Sequence, residues 1–242
     1  MEIGIKIFPE DLAYAKKIVR YADFIEVTAI PGSNFRALKC LKKPFTIHTI
    51  HSRWGFNSAD PEKKLTINRK GIETAKKAAD ILDADTIIIH PGYIEDRDCS
   101  LKQAISVIRP LDRRFIVENM PKYTKGRLHV GASLQQIKRI RQGTGKGMCL
   151  DFPHAAEYAH QSGIYYIDFI KKLLELKPRY YHISDTRIQN KKDLHLHLKD
   201  GNLRIKYLES IIPEPDRSRL LIETSHDFMK QHRDITLLRK NL

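Results

Sequence analysis

Residues 61–90, PEKKLTINRKGIETAKKAADILDADTIIIH, carry a helix pattern followed by a strand pattern, and the repetition of this pair along the chain indicates the fold. In the first part the apolar side chains recur at the spacing of one helix face. That face consists of Leu65, Ile72, Ala75, Ala79 and Leu82. The run Thr86–His90 is short, β-branched and largely apolar, which is typical of a parallel strand buried on both faces. We therefore predict a helix over Pro61–Leu82 and a strand over Thr86–His90.

The same pairing of strand and helix patterns repeats along the whole chain. The predicted strands are Gly4–Phe8, Phe24–Thr28, Phe45–His51, Thr86–His90, Phe115–Glu118, Met148–Asp151, Tyr180–Ser184 and Leu220–Glu223. The predicted helices are Pro9–Tyr21, Asn34–Leu41, Pro61–Leu82, Ser100–Arg109, Ser133–Gln142, Tyr165–Leu176, Arg204–Ile211 and Asp227–Lys240. Each unit takes about 30 residues, the usual size of a β–α repeat. A doubly wound sheet also fits such a pattern, but eight units without a linker favour a single α/β domain over residues 1–242, a (β/α)8 TIM barrel.

Composition excludes several classes of protein. The 242 residues are 41% hydrophobic and 30% charged, which excludes a disordered chain. The longest apolar runs are far shorter than the ~20 residues of a membrane span, so no membrane partner is expected. Met1–Ile7 has a strand pattern, so we expect no secretion signal. Cys40, Cys99 and Cys149 are far apart and odd in number, which predicts reduced thiols and a cytoplasmic location.

The chain carries 43 Lys and Arg against 29 Asp and Glu, a formal net charge of +14. Such an excess favours a polyanionic partner, with nucleic acid first. Many of the lysines form doublets on predicted helices, such as Lys63-Lys64 and Lys76-Lys77, and these are typical of an ordinary solvated helix face. Composition alone leaves both interpretations open.

Histidines and carboxylates end or follow six successive predicted strands. They are His51, His90, Glu118, Asp151, His154, His182, Asp193, His195 and Glu223. In a TIM barrel the carboxyl ends of the strands meet on one face, so these side chains are expected to lie together. Any one of them alone would more often be a structural or solvated residue. A buried cluster with four carboxylates would repel itself unless cations filled it, and imidazole with carboxylate is the ligand set of Zn²⁺, Mn²⁺ or Fe²⁺.

Nine ligands exceed the needs of one cation, since a catalytic zinc takes about three protein ligands. Two or three ions are therefore predicted, with Glu118 placed to bridge two of them. Clustered divalent cations suit phosphoryl chemistry, in which one activates water and another neutralises charge on the leaving oxygen. A phosphodiester substrate would account for both the metals and the positive charge. The other histidines are assigned to the structure or the surface: His48, His129, His160, His197, His226 and His232.

Several of these segments resemble the endonuclease IV family of apurinic/apyrimidinic endonucleases, within the xylose isomerase-like TIM barrels. They are residues 51–57 (HSRWGFN), 90–92 (HPG), 117–119 (VEN), 149–154 (CLDFPH), 182–185 (HISD), 193–195 (DLH), 198–201 (LKDG) and 221–224 (LIET). The resemblance extends from the third predicted strand to the eighth. It implies hydrolysis of DNA 5′ to an abasic site by a metal-bound hydroxide, with zinc ions stabilising the 3′ oxygen that leaves.

The family pattern also implies which residues hold each ion. It assigns His51, His90 and Glu118 to one zinc, Glu118, Asp151, His182 and Glu223 to a second, and His154, Asp193 and His195 to a third. We assign the catalytic role to Glu118 and Glu223, which belong to the ligand sets of both the nuclease and the sugar isomerase branches of the superfamily.

The family inserts side chains into the duplex around an abasic nucleotide. Asn34-Phe-Arg36 resembles the motif with the intercalating arginine, and Trp54 lies where the family has an aromatic wedge. A helix-start Asn with a surface Arg, and a Trp that caps the barrel end, are the structural alternatives. The candidate phosphate contacts are Arg36, Arg53, Arg97, Lys122, Lys125, Arg127, Lys191 and Lys192. We expect a monomer whose partner is DNA with abasic or damaged sites.

The chain also departs from the family. It is shorter than typical members, the Leu-Gly-x-Gly turn is altered at residues 198–201, and Phe24-Ile-Glu-Val27 resembles the sugar isomerases and epimerases of the same superfamily. The alternative is a sugar or sugar-phosphate isomerase or epimerase with one Mn²⁺, Mg²⁺ or Co²⁺, in which Glu118 and Glu223 act as acid and base. His154 with Asp193-x-His195 favours the nuclease, because these residues create a third metal site. A barrel that binds nucleic acid without cleaving it is the third hypothesis.

Overall fold

The computed structural model describes residues 1–189 and 194–240. Its centre is a closed barrel of parallel strands: β1 (Glu2–Ile7), β2 (Phe24–Thr28), β3 (Phe45–His48), β4 (Ile87–Ile89), β5 (Phe115–Glu118), β6 (Gly147–Asp151), β7 (Tyr180–Ile183) and β8 (Arg219–Ile222). Each strand pairs with the next one along the chain, and β8 pairs with β1. Each predicted strand has its counterpart in this barrel, and the predicted TIM-barrel fold is confirmed.

Helices surround the barrel. Within the described residues the α-helices are α1 (Leu12–Ile18), α2 (Ile67–Leu82), α3 (Leu101–Ile108), α4 (Leu134–Thr144), α5 (Phe152–Gln161), α6 (Tyr166–Leu174), α7 (Ile205–Ser210) and α8 (Phe228–Arg239). The connection from β2 to β3 is a 3-10 segment, Phe35–Leu41, where a helix over Asn34–Leu41 is predicted. Among residues 1–189 and 194–240, no helix is long and apolar enough to cross a membrane.

The predicted helix over Pro61–Leu82 is two segments in the structure. A 3-10 turn, Glu62–Leu65, forms first because the Asp60 carboxylate accepts its first two backbone N–H groups, at 2.8 and 3.3 Å. The turn ends at Thr66, whose φ of −115° and ψ of −103° lie outside the helical region, and α2 begins after it. Leu65 is therefore 76% exposed and does not belong to the buried face for which it is predicted.

The sequence patterns did not predict α5 or a small antiparallel sheet. α5 follows β6 without a loop, because Asp151 ends the strand and also caps the helix by accepting the His154 N–H at 2.6 Å. Pro153 lies in the first turn, where a backbone N–H has no acceptor within the helix, so proline can stand there without loss of a hydrogen bond. The sheet consists of Tyr93–Ile94, Tyr123–Thr124 and Arg127–His129, from the loops after β4 and β5. Both elements stand at the carboxyl end of the barrel.

Side chains inside the barrel alternate with a period of two along each strand. A cluster of buried side chains fills the middle: Phe24, Ile88, Cys149, Tyr180 and Leu221. Gly4 leaves space for the Phe24 ring, since a Cβ at Gly4 would overlap it. Residues two positions further along each strand also face the interior of the barrel, and they lie nearer its carboxyl end. They form what we call the polar layer: Lys6, Glu26, His48, His90, Glu118, Asp151, His182 and Glu223.

Asp185 organises the loop after β7, and its replacement by asparagine is expected to destabilise the protein by about 2 kcal/mol. The buried carboxylate accepts four backbone N–H groups at 2.9–3.0 Å, those of Thr186, Lys199, Gly201 and Leu203. In Asp185→Asn one acceptor oxygen becomes an NH₂ donor, and bonds to a charged acceptor contribute about 1.5–3 kcal/mol each. Urea unfolding measures the change. Asp200→Asn, an exposed carboxylate of the same loop, is the control, and an equal loss in that variant would contradict the assignment.

Candidate metal centre

The polar layer lies at the bottom of a cavity of about 580 Å³ at the carboxyl end of the barrel. Glu26 and His182 are completely buried, and Glu118 and His48 are each 1% exposed. Charged groups at such depth need partners of opposite charge or cations. The contacts among these side chains therefore define what the site can hold.

Glu118, at the end of β5, has its two carboxylate oxygens in contact with different histidines. Oε2 lies 3.1 Å from His48 Nε2 and 3.0 Å from His90 Nε2. Oε1 lies 3.2 Å from His154 Nδ1 and 3.6 Å from His182 Nδ1. Burial would raise the pKa of this carboxyl, but the surrounding imidazoles outweigh burial and hold its pKa well below the usual range. The carboxylate is therefore ionised and shared between two pairs of imidazoles.

Two groups of donor atoms are close enough to hold a metal ion. The first donor group is His48, His90 and Glu118, and the second donor group is Glu118, Asp151, His182 and Glu223. Within each group the donor atoms lie within 4.8 Å of one another. Glu118 belongs to both groups, so two ions held there would share its carboxylate.

The orientation of His182 fits the ring to a cation. Its Nε2 lies 3.0 Å from Glu26 Oε2, so Nε2–H donates to that carboxylate and Nδ1 faces the second donor group. Nδ1 lies 3.0 Å from Glu223 Oε2 and 3.8 Å from Asp151 Oδ2. Burial would lower the pKa of His182, but Cys149 and the Glu26 and Glu118 carboxylates outweigh burial and raise this pKa well above its usual value, so Nδ1 also carries a proton until a cation displaces it. A divalent cation would displace this proton and bind Nδ1 together with the converging carboxylates, so the donor set fits such a cation.

The charge on Asp151 depends on its neighbours. Burial and the nearby Glu118 carboxylate raise its pKa to about 7, although the His154 imidazole acts in the opposite direction. Three carboxylates in this space are therefore not all stable as anions without additional positive charge. A divalent cation would supply that charge.

Lys6 and Glu26 complete the polar layer. The Lys6 ammonium lies 2.7 Å from Glu223 Oε1 and 3.3 Å from Glu26 Oε1. Glu26 also accepts the Tyr180 hydroxyl at 2.8 Å. Burial opposes ionisation of Glu26, but His182 and Lys6 outweigh it and lower its pKa to about 2. Glu26 thus fixes the ring of His182. Neither Glu26 nor Lys6 was predicted from the sequence to belong to the site.

The structure places His48, not His51, in the first donor group. β3 ends at His48, which faces the interior because it stands two positions after the buried Thr46. His51 comes after the strand and lines the same cavity, with its ring centroid 5.6 Å from that of His90 and 4.7 Å from that of Trp54. His48 was predicted to be a structural histidine because the strand was predicted to continue to His51. A metal role for His51 stays a prediction.

The third predicted metal site is only partly described. His154 contacts Glu118 and also lies 3.6 Å from Asp151 Oδ1, so it adjoins the two donor groups. His195 lines the cavity, and its Nδ1 lies 3.2 Å from the Glu223 carbonyl oxygen. Asp193, Lys191 and Lys192 lie outside the described residues. A third site made of His154, Asp193 and His195 therefore stays a prediction.

The candidate DNA contacts fall into two sets. Arg53, Lys125 and Arg127 line the cavity and are exposed, and Lys122 stands at the start of the hairpin that carries the last two. Trp54 is half-buried, with Arg53 stacked on its ring at 5.5 Å. Asn34 and Arg36 are exposed at the start of the 3-10 segment after β2, and neither lines the cavity. Arg53, Lys125 and Arg127 therefore share the cavity with the donor groups, whereas Asn34 and Arg36 do not.

The model of the xylose isomerase-like TIM barrel family matches residues 34–240. A D-tagatose 3-epimerase-like protein superposes with a TM-score of 0.77 at 18% identity, over 100% of this chain and 97% of that one. Endonuclease IV from Thermus thermophilus superposes with a TM-score of 0.72 at 16% identity, over 100% and 98%. An AP endonuclease of family 2 from Brucella melitensis gives 0.72 at 15% identity, over 99% of each chain. At such identities the likeness establishes the fold. No protein of curated function matches the sequence.

Proposed function

The chain belongs to the xylose isomerase-like TIM barrel family, and we propose that it is a metal-dependent phosphodiesterase of the endonuclease IV type, cleaving DNA 5′ to abasic sites. The position of Glu118 carries the proposal. Its Oε2 contacts His48 and His90, whereas its Oε1 contacts His154 and His182. A carboxylate placed in this way can bridge two cations with one oxygen to each. Paired cations are the arrangement that phosphoryl transfer uses.

Zn²⁺ is the proposed ion, because the resemblance to endonuclease IV implies zinc and the imidazole and carboxylate donors suit it. The first donor group would hold one ion and the second donor group another, and His154, Asp193 and His195 are proposed for a third. Such ions, when bound, polarise the phosphate and lower the pKa of water. Glu26 holds the His182 ring in place, and the Lys6 ammonium adds positive charge at the bottom of the cavity.

DNA is the proposed substrate because the cavity carries exposed cations at its opening. Arg53 lies on one side, and Lys125 and Arg127 lie on the hairpin between β5 and α4. A phosphodiester placed over the donor groups would meet these side chains with its flanking phosphates.

A single-metal sugar or sugar-phosphate isomerase or epimerase is the second candidate. The second donor group by itself suffices for one ion, and a cavity of about 580 Å³ has the size of a small-molecule site. In that reaction Glu118 and Glu223 would move a proton beside a carbonyl. Four imidazoles surround the oxygens of Glu118, which leaves it poorly placed as a base. This contact pattern favours the bridging role over the proton-transfer role.

Two measurements on the same preparation test the proposal. Elemental analysis is expected to give two or three zinc ions per chain, and a duplex with one abasic site is expected to be nicked 5′ to that site. Nicking should stop with a chelator and return when zinc is added. One Mn²⁺, Mg²⁺ or Co²⁺ per chain, or intact duplex at full metal loading, would refute the nuclease. Aldose–ketose interconversion by the one-metal protein would then identify the isomerase.

Removing a cation at the opening of the cavity should weaken DNA binding and reduce its dependence on salt. For Arg53→Gln and Arg127→Gln we expect the plot of log K against log salt to become shallower by about 1, because each lost phosphate contact releases one counterion fewer. Fluorescence anisotropy with a labelled abasic duplex measures this slope. Arg113→Gln is the matched control, since Arg113 is exposed in the loop before β5, at the opposite end of the barrel. Parental slopes in the first two variants would exclude these phosphate contacts.

A further inference from the structure

Ser225, His197 and Asp234 form a hydrogen-bonded chain beside the metal centre. His197 Nε2 lies 3.0 Å from Ser225 Oγ, and His197 Nδ1 lies 2.6 Å from Asp234 Oδ2. His197 is 4% exposed and Asp234 is completely buried, whereas Ser225 is exposed and lines the cavity. The three residues come from the loop after β8, the loop after β7 and α8. The metal chemistry proposed above uses none of them.

The surroundings of Asp234 fix the direction of these hydrogen bonds. Its Oδ1 accepts the Leu198 backbone N–H at 3.1 Å and the Arg233 guanidinium at 3.3 Å. Oδ2 is left to accept Nδ1–H of His197, so Nε2 carries the lone pair and the Ser225 hydroxyl donates to it. A serine that donates to a histidine, which in turn is oriented by a carboxylate, is the arrangement of a base-activated nucleophile.

The exposure of the three residues suits a reactive centre, because a nucleophile must be reached by a substrate. In this chain the base and the carboxylate are shielded, and the hydroxyl is accessible from the cavity. Leu194 and Phe8, which line the same cavity, offer an apolar surface for a short acyl chain.

We propose that Ser225 is an activated nucleophile that takes up the acyl group of a carboxylic ester, with His197 as base and Asp234 as the residue that orients it. Ser225 Oγ attacks the carbonyl carbon and passes its proton to His197 Nε2. The C–O bond of the ester breaks, and the departing alcohol takes that proton. Water then attacks the acyl-serine, giving a proton to His197, which returns it to Ser225 as the acid leaves. The sum is one ester and one water converted into one acid and one alcohol.

Activated esters and fluorophosphonates are the appropriate probes, because their good leaving groups need little assistance. The full chain, as purified and again with excess chelator, is treated with a fluorophosphonate, from which the serine displaces fluoride. Intact mass and peptide mapping are expected to show one adduct per chain, on Ser225, in both samples. With p-nitrophenyl acetate we expect a burst of nitrophenol of about one equivalent. Chelator separates this reaction from the metal centre, so its failure would leave the nuclease proposal standing.

Variants test each member of the chain. Ser225→Ala should abolish the adduct, and His197→Gln and Asp234→Asn should slow labelling by about 100-fold or more, the usual contribution of a general base. Ser106→Ala, which removes an exposed hydroxyl on α3, is the control and should label at the parental rate. Circular dichroism confirms that each variant is folded. An unlabelled parental protein, an adduct on another residue, or parental labelling of folded His197→Gln would overturn the proposal, and the first two outcomes need no variant.

Discussion

Glu118→Gln is expected to lower the number of bound metal ions by at least one per chain and to reduce nicking of an abasic duplex by about 1000-fold or more. Glutamine keeps the shape of the side chain but offers one neutral oxygen where the carboxylate offers two charged ones. Both donor groups contain Glu118, so both lose their shared anion. Charge stabilisation by metal ions amounts to several kcal/mol, and 1.36 kcal/mol corresponds to a factor of ten in rate.

Elemental analysis and the nicking assay are performed on the same sample of the variant. Glu73→Gln is the matched control, because Glu73 is an exposed glutamate on α2 whose partner is Arg69. It should retain the parental metal content and the parental rate. If Glu118→Gln keeps every metal ion, Glu118 does not bridge. If the parental protein holds a single ion and the variant keeps it, the second donor group would have lost its support as well.

The fold followed from the sequence because strand patterns in a parallel barrel depend on local composition. β2 and β5 have the predicted bounds, since both are short β-branched or aromatic runs between polar segments. The predictions were wrong where one side chain redirected the backbone. Asp60 started a separate turn before α2, and Asp151 capped a helix directly after its own strand. Asp-x-Pro after a strand, with a proline allowed in the first turn, is the signal that could have revealed α5.

The strand ends in the sequence predicted most of the polar layer, but three of its members were not predicted. His90, Glu118, Asp151, His182 and Glu223 stand at the ends for which they were predicted. His48 was missed because the end of β3 was placed three residues too late, and barrel register depends on such positions. Lys6 and Glu26 were missed because a lysine and a mid-strand glutamate do not resemble metal ligands. Moving two positions along a strand from a residue inside the barrel, as from Thr46 to His48, identifies all three of these residues.

The contacts between side chains could not be derived from the sequence. That one oxygen of Glu118 meets His48 and His90 while the other meets His154 and His182 depends on rotamers and on the position of α5. The chain from Ser225 through His197 to Asp234 likewise joins three distant segments. Residue types at strand ends indicate which groups converge, and only the geometry indicates what they can do.

Gly92→Ala is expected to destabilise the protein by about 3 kcal/mol or more and to displace His90. Gly92 has φ of +101°, a conformation that residues with a Cβ rarely adopt. A Cβ there would overlap Asn57 Oδ1 and lie 2.7 Å from the backbone nitrogen of Ala59. Asn57 is completely buried and holds the turn through Tyr93, accepting its N–H and donating to its carbonyl, each at 2.9 Å. Relief of the overlap must therefore shift the turn that positions His90.

Gly32→Ala separates the two causes of the expected loss. Gly32 also has a positive φ, +89°, but a Cβ there would meet nothing within 4 Å. Backbone strain alone should amount to about 1–2 kcal/mol, and overpacking of a filled site adds about 1–3 kcal/mol. Urea unfolding of both variants is therefore expected to rank Gly92→Ala well below Gly32→Ala in stability, and metal content should fall only in Gly92→Ala. Equal stabilities would mean that Asn57 yields to the added methyl group, and an unchanged metal content would mean that His90 is not held by this turn.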